Sequence, residues 1–203
     1  MMRPSLPCLG FVAAVLAGAP ASAAVIGSTA SDFTLYDQNN LEIRLSDFAG
    51  TGVILDFCAL WCGPCRTFYS DLYDTMPGNT LVLPVLMGNL YDGVTTQSHA
   101  TAWADTFGLE TVVHLSGDEA AKSALAADYL ADLGNIAYPT FVFIDANLTV
   151  IGNIVGVRNA NDVEWAGYVA GIEATQAVPV PAAAWLFGSG LVALLQLMRR
   201  RPR

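Results

Sequence analysis

Three of the chain's four cysteines fall within eight positions of the stretch "LDFCALWCGPCRTF", residues 55 to 68: Cys58, Cys62 and Cys65. Cysteines of exported chains usually staple loops, but a bridge between Cys62 and Cys65 would enclose only Gly63 and Pro64 and would restrain little chain entropy. Such a bridge is suited to being opened and closed. A helix predicted to begin at this segment would turn its unpaired N–H groups toward Cys62 and stabilise the thiolate, the attacking form of cysteine. Cys65, one turn along and more buried, would resolve the mixed disulfide that Cys62 forms. A zinc reading of the same spacing needs a second ligand pair, and apart from Cys58 the body of the chain offers only His99 and His114, so no metal is expected. Cys58 itself reads as a packing residue on a core-facing strand position.

The elements that must hold these residues are legible as alternating patterns. "TGVILDFCA", "TLVLPVLM", "TVVHL", "TFVFID" and "LTVIGNIVG" read as strands, being rich in β-branched and apolar residues. Helices are predicted just after the Cys-Gly-Pro-Cys segment, over Thr96 to Phe107, over Asp118 to Leu133, and over Asp162 to Ala174 with Asn161 as N-cap and Glu164 three residues on. The alternation predicts an α/β domain, and "TFVFIDANLTVIG", with Asp145, Ala146 and Asn147 at the turn, predicts an antiparallel hairpin and hence a mixed sheet. Asp56 sits mid-strand between Leu55 and Phe57; a buried functional acid and a strand-end carboxylate are the two readings. Trp103 and Phe107, at helical spacing, read as core. His99 and His114 read as packing residues.

Both ends depart from this globular pattern. Arg3 precedes "LGFVAAVLAGAP", too short to span a bilayer, and Ala21 and Ala23 occupy the positions a signal peptidase reads, so residues 1–23 are predicted to be a cleaved signal peptide. Residues 182–203 combine an apolar run near the minimum spanning length with Arg199, Arg200, Arg201 and Arg203, a pattern that favours a cytoplasmic C-terminus. Between these ends only Arg44, Arg66, Lys122 and Arg158 face all eighteen acidic residues, a net charge near −14. Such a surface repels polyanions and excludes nucleic-acid binding.

The body resembles the thioredoxin-like proteins, and specifically the exported TlpA/ResA-like thiol-disulfide oxidoreductases. "SDFTLYDQNNLEIRLSDFAGTGVILDFCALWCGPCR" is similar to that family's N-terminal hairpin, first central strand and active-site motif, and "YPTFVFID" to the segment carrying its cis-proline. The resemblance implies a thioredoxin fold over residues 24–175: a mixed central sheet flanked by helices, with an N-terminal hairpin extension. It implies that Cys62 is the nucleophile, Cys65 the resolving cysteine and Asp56 the buried acid that helps deprotonate the resolving thiol. Trp61 would shield the disulfide and, with Gly63, Pro64, Tyr138 and a cis Pro139, line the substrate site. No cofactor is implied. Three positions depart from the family pattern: Cys58 replaces a tryptophan, Ser70 a helix-kinking proline, and Phe68 an acidic residue.

The C-terminal "VPVPAAAWLFGSGLVALLQLMRRR" is similar to PEP-CTERM sorting tails of the VPxPA variant. Residues 176–181 would then be linker and sorting motif, and residues 182–203 a membrane segment that an exosortase-like protease removes; a plain single-span anchor is the alternative. Together these features predict an exported thiol-disulfide oxidoreductase in the periplasm or cell envelope, acting as a reductant of disulfide-containing envelope proteins. Its electrons would come from a membrane carrier of the DsbD/CcdA type. The rival is a non-enzymatic thioredoxin-fold binding or redox-adaptor protein.

Overall fold

The computed structural model describes residues 25–76, 81–91, 93–114, 119–133 and 137–176. The expected signal peptide and C-terminal tail lie outside these residues. Among the described residues no helix is long and apolar enough to cross a membrane.

Seven strands form one mixed sheet: β1 (Thr34–Asp37), β2 (Glu42–Arg44), β3 (Val53–Ala59), β4 (Val82–Gly88), β5 (Val113–His114), β6 (Thr140–Ile144) and β7 (Val150–Val155), in the spatial order β2-β1-β5-β4-β3-β6-β7. β3 is an interior strand and pairs parallel with β4 and antiparallel with β6. It is buried along its whole length, which is why "VILDFCA" reads as a nearly continuous apolar run instead of an alternating one. The N-terminal hairpin β1–β2 is not a separate appendage. β1 adds to the sheet through β5, with Tyr36 opposite His114.

Alternation along β3 divides the core. Val53, Leu55 and Phe57 join one apolar cluster with Leu125 and Tyr129 of α3 (Glu119–Tyr129). Ile54 and Cys58 face the other cluster, which holds Cys62, Cys65, Phe68 and Tyr69. Trp103 from α2 (Gln97–Phe107) and Trp165 from α4 (Val163–Thr175) complete it. One residue of register therefore decides which side of the sheet a β3 side chain serves.

Local chemistry sets the element ends. Gly52, with φ +77°, lets the chain enter β3 where a Cβ would lie 2.5 Å from Ile172 Cγ2 and 3.0 Å from the Ile144 carbonyl oxygen. The β6–β7 turn is held by Asp145, whose Oδ1 accepts from the Asn147 and Thr149 amides at 2.9 and 2.8 Å. Two helix starts differ from expectation. Asp162, not Asn161, caps α4, because its Oδ1 accepts from the Trp165 amide at 2.8 Å while the Asn161 amide is taken by Asn159. Helix α1 (Gly63–Thr67) begins inside the Cys-Gly-Pro-Cys motif, with Cys62 as its N-cap.

α1 is short because the chain widens into a π-helical turn over Phe68–Leu72 and then a 3-10 turn over Tyr73–Thr75. Ser70, in place of the proline that kinks this helix in the resembling family, lies inside the π turn. The extra residue per turn bends the path without a missing N–H. Both Phe68 and Tyr69 are buried as a result.

Candidate active site

The site lies at the carboxyl ends of the parallel strands β3 and β4, where the Leu60 amide donates to the Gly88 carbonyl at 2.8 Å and ties the two strand ends together. Ligand sites of open α/β sheets form at such ends. Cys62 and Cys65 are bridged, with Cα atoms 5.3 Å apart. The Cys65 backbone N–H donates to Cys62 Sγ at 3.1 Å, so an amide of the first turn of α1 already points at the sulfur that would carry negative charge. Cys62 is 2% exposed and Cys65 fully buried. Gly63 and Pro64, between them, are exposed.

Trp61 is half exposed, and its ring centroid lies 5.8 Å from that of Tyr138. The Tyr138–Pro139 peptide bond is cis. Thr140 Oγ1 donates to the Ala137 carbonyl at 2.5 Å, and the Pro139 carbonyl accepts from the Gly156 amide at 2.8 Å. The cis-proline loop is thus pinned at both ends beside Trp61. The structure brings together Trp61, Cys62, Gly63, Pro64 and Cys65 on one loop, with Tyr138 against it from β6's leading edge.

Asp56 is fully buried, not a strand-end carboxylate. Its place on β3 gives it the face that Ile54 and Cys58 present to the cluster of the two bridged cysteines. Tyr69 Oη donates to Asp56 Oδ2 at 2.5 Å, while Asp56 Oδ1 accepts no hydrogen bond among the described residues. Burial pushes the Asp56 carboxyl up to about 7, against the opposing pull of the Tyr69 hydroxyl and, beyond it, the Cys58 thiol. Cys58 is free, fully buried, and 3.8 Å from the Val85 carbonyl oxygen. Its thiol is held well above its ordinary range, first by burial and then by the Asp56 charge.

Around this centre the departures from the family pattern have structural consequences. Phe68 is fully buried, packed against Phe141 at 4.8 Å and Trp165 at 5.9 Å between ring centroids. Trp103 and Phe107 pack together at 4.8 Å, and the Arg66 guanidinium lies over both rings, 5.3 and 5.8 Å from their centroids. His99 Nδ1 accepts from the Thr96 amide and completes the N-terminal cap of α2, and His114 is buried beside Tyr36. Among the described residues no group of three His, Cys, Asp or Glu side chains is placed to hold a metal ion. Tyr69 carries no motif signal. Only its position four residues after Cys65, one helical turn along the same side, marks it.

The AhpC/TSA family profile matches residues 26–152. The thiol-disulfide oxidoreductase ResA of Geobacillus kaustophilus is 30% identical over 147 residues, covering 70% of this chain and 76% of that protein. The thioredoxin-like protein YneN of Bacillus subtilis is 26% identical over 138 residues, covering 68% of this chain and 76% of its own. Among solved structures, a thioredoxin-family thiol:disulfide interchange protein from Chlorobium tepidum superposes with a TM-score of 0.53 at 20% identity, over 73% of this chain and 97% of that one. The thioredoxin domain of a Bacteroides vulgatus thiol-disulfide oxidoreductase gives 0.54 at 16% identity, over 73% and 98%. The structures share the thioredoxin fold, which in this chain carries a mixed seven-stranded sheet. The family profile and the long alignment to a relative named for disulfide exchange together make this chain a thiol-disulfide oxidoreductase belonging to the AhpC/TSA family.

Proposed function

We propose that the protein is exported and reduces disulfides of envelope proteins, with Cys62 as nucleophile and Cys65 as resolving thiol. The observation that carries this reading is the Cys65 N–H on Cys62 Sγ at 3.1 Å, because the amide that caps the helix would stabilise the Cys62 thiolate once the bridge opens. The thiolate attacks one sulfur of the substrate disulfide and expels the other as a thiolate, leaving a mixed disulfide. Cys65 then forms the bridge to Cys62 and releases the second substrate thiolate, so two electrons pass to the substrate. Asp56, with a carboxyl near 7, suits the task of taking the Cys65 proton at neutral pH.

Trp61, Gly63, Pro64, Tyr138 and the backbone beside Pro139 would receive the substrate chain. The reducing direction is favoured by the Gly-Pro pair between the cysteines, which resembles reducing thioredoxins, and it requires that a membrane carrier of the DsbD/CcdA type return two electrons per turnover. Export is supported by the pattern of residues 1–23, and the "VPVPA" motif with its arginine cluster supports a tail that an exosortase-like protease removes, after anchoring the domain on the outer side of the inner membrane.

The test is reduction of insulin by the full-length protein with dithiothreitol as electron source. Cys62→Ser should abolish it, and Cys65→Ser should trap Cys62 in mixed disulfides with substrate. Full activity in Cys62→Ser would remove the assignment, and a chain inactive on every protein disulfide tried would leave the redox-adaptor reading in its place.

A further inference from the structure

The carboxyl group of Asp56 is held asymmetrically. One oxygen, Oδ2, takes the Tyr69 hydroxyl at 2.5 Å, and the other, Oδ1, is buried with no hydrogen bond among the described residues. Tyr69 is 6% exposed, and its ring packs against Phe68, Tyr73, Trp103 and Phe107 at 5.0 to 6.0 Å between centroids. A phenylalanine would fill that aromatic site equally well. The hydroxyl is therefore unexplained by packing, yet it is aimed at the one carboxylate on this face of β3.

We propose that Tyr69 is a positioning residue for disulfide exchange: its hydroxyl fixes Asp56 through Oδ2 and leaves Oδ1 as the atom that accepts the Cys65 proton. This rests on the reading of Cys62 and Cys65 as the exchanging pair. In the mixed disulfide, Cys65 Sγ–H gives its proton to Asp56 Oδ1, and the resulting thiolate bonds to Cys62 Sγ. The bond between Cys62 and the substrate sulfur breaks, and its electron pair leaves on the substrate thiolate, which regains a proton from water while Asp56 releases its own. Tyr69 keeps its proton throughout, since burial, and then the Asp56 charge, drives its hydroxyl well above the ordinary phenol range. Donation to the carboxylate favours the charged form, so the hydroxyl holds the acid lower than burial alone would.

The other ionisable groups facing this carboxyl are few. Cys58 lies on the same strand, and its thiol, after the Tyr69 hydroxyl, also draws the carboxyl down; Cys62 and Cys65 lie at the start of α1, and Tyr73 follows Tyr69 in the next turn. Arg66 is the cation of this cluster, stacked on Trp103 and Phe107. The strand partners of Asp56, Pro84 on β4 and Phe141 on β6, carry no titrating group. Neither do the residues that α2 and α4 bury here, Ala100, Trp103, Ala104, Trp165, Val169 and Ile172.

Tyr69→Phe in the full-length protein is the test, read in two ways. The first is the Asp56 carboxyl titration in the bridged protein, followed by carbon NMR. The second is the pH profile of insulin reduction by the pre-reduced protein in a single turnover. The expected result is an upward move of both the titration and the rising limb of the profile by about one pH unit, the effect of losing one charge-assisted hydrogen bond. The rate at neutral pH should fall several-fold. In an Asp56→Asn background, Tyr69→Phe should change the profile no further. If Tyr69→Phe folds poorly, 3-fluorotyrosine at position 69 keeps the ring and is a stronger donor, and it should move the limb down instead. An unmoved titration, a uniform fall in rate at every pH, or an equal effect in the Asp56→Asn background would each overturn the role of Tyr69. A parent chain unable to reduce insulin would overturn the exchange reading along with it.

Discussion

Trp61 and Tyr138 pack with ring centroids 5.8 Å apart and planes tilted by 56°, joining the residue before Cys62 to the residue before the cis-proline. Cys62, the next residue after Trp61, is only 2% exposed. On the proposed function, a substrate chain would lie against these two rings.

Removing the indole therefore has opposed effects. Trp61→Ala should lower kcat/KM for insulin by roughly 10-fold through lost aromatic contact with the substrate. The same variant should speed alkylation of reduced Cys62 by iodoacetamide, because a small reagent needs access more than it needs a platform. Slower alkylation together with slower turnover would refute the shielding role.

The buried Asp56 should make the fold sensitive to pH. Its carboxyl titrates at about 7 in the folded protein and near 3.8 when unfolded, so between those values the native state binds the extra proton. Stability is then fully present below the unfolded value and is lost as pH rises through the folded one, by up to about 4 kcal/mol. Asp56→Asn should stabilise the bridged protein at pH 8 by that order and leave it nearly unchanged at pH 4. Denaturant unfolding of both proteins at the two pH values checks the sign.

Phe68 occupies the position where the resembling family often carries an acid, but here it is wedged between Phe141 and Trp165. Phe68→Ala should cost about 3–5 kcal/mol from lost contacts and the cavity left behind. Phe68→Glu should cost more, since an unpaired carboxylate would replace a ring in an apolar cluster. Thermal melts of the two variants, ranked against the parent, decide this.

The tail is tested by intact mass of the protein from its own host. A mature chain that begins after Ala23 and ends near Val178 is expected. A chain still ending at Arg203 would rule out removal and leave a tethered enzyme.

Much of this architecture was legible because its signals are local. The β-branched runs of β3 and β6 and the Asp-Ala-Asn turn between β6 and β7 specify themselves within a few residues. Cys62 and Cys65 were legible for the same reason. The cis bond before Pro139 could be inferred only from the resemblance, since an X-Pro pair alone favours trans. The cap of α4 was misplaced by one residue because Asn161 and Asp162 are both good caps, and only the bond from the Trp165 amide to Asp162 Oδ1 distinguishes them. The Tyr69 hydroxyl was invisible for a different reason. It depends on a helix widening by one residue at Phe68–Leu72, and neither propensity nor period predicts a π turn.

The complete burial of Cys58 gives the protein an internal clock. While Cys62 and Cys65 remain bridged, Cys58 is the only thiol among the described residues, and a reagent meets it when the helical layer packed on that face of β3 opens. Its labelling rate, divided by the rate for an unstructured cysteine, is the equilibrium constant for that opening. A temperature series of such rates would trace the opening free energy of the layer over β3 in native buffer, without denaturant and without an introduced probe.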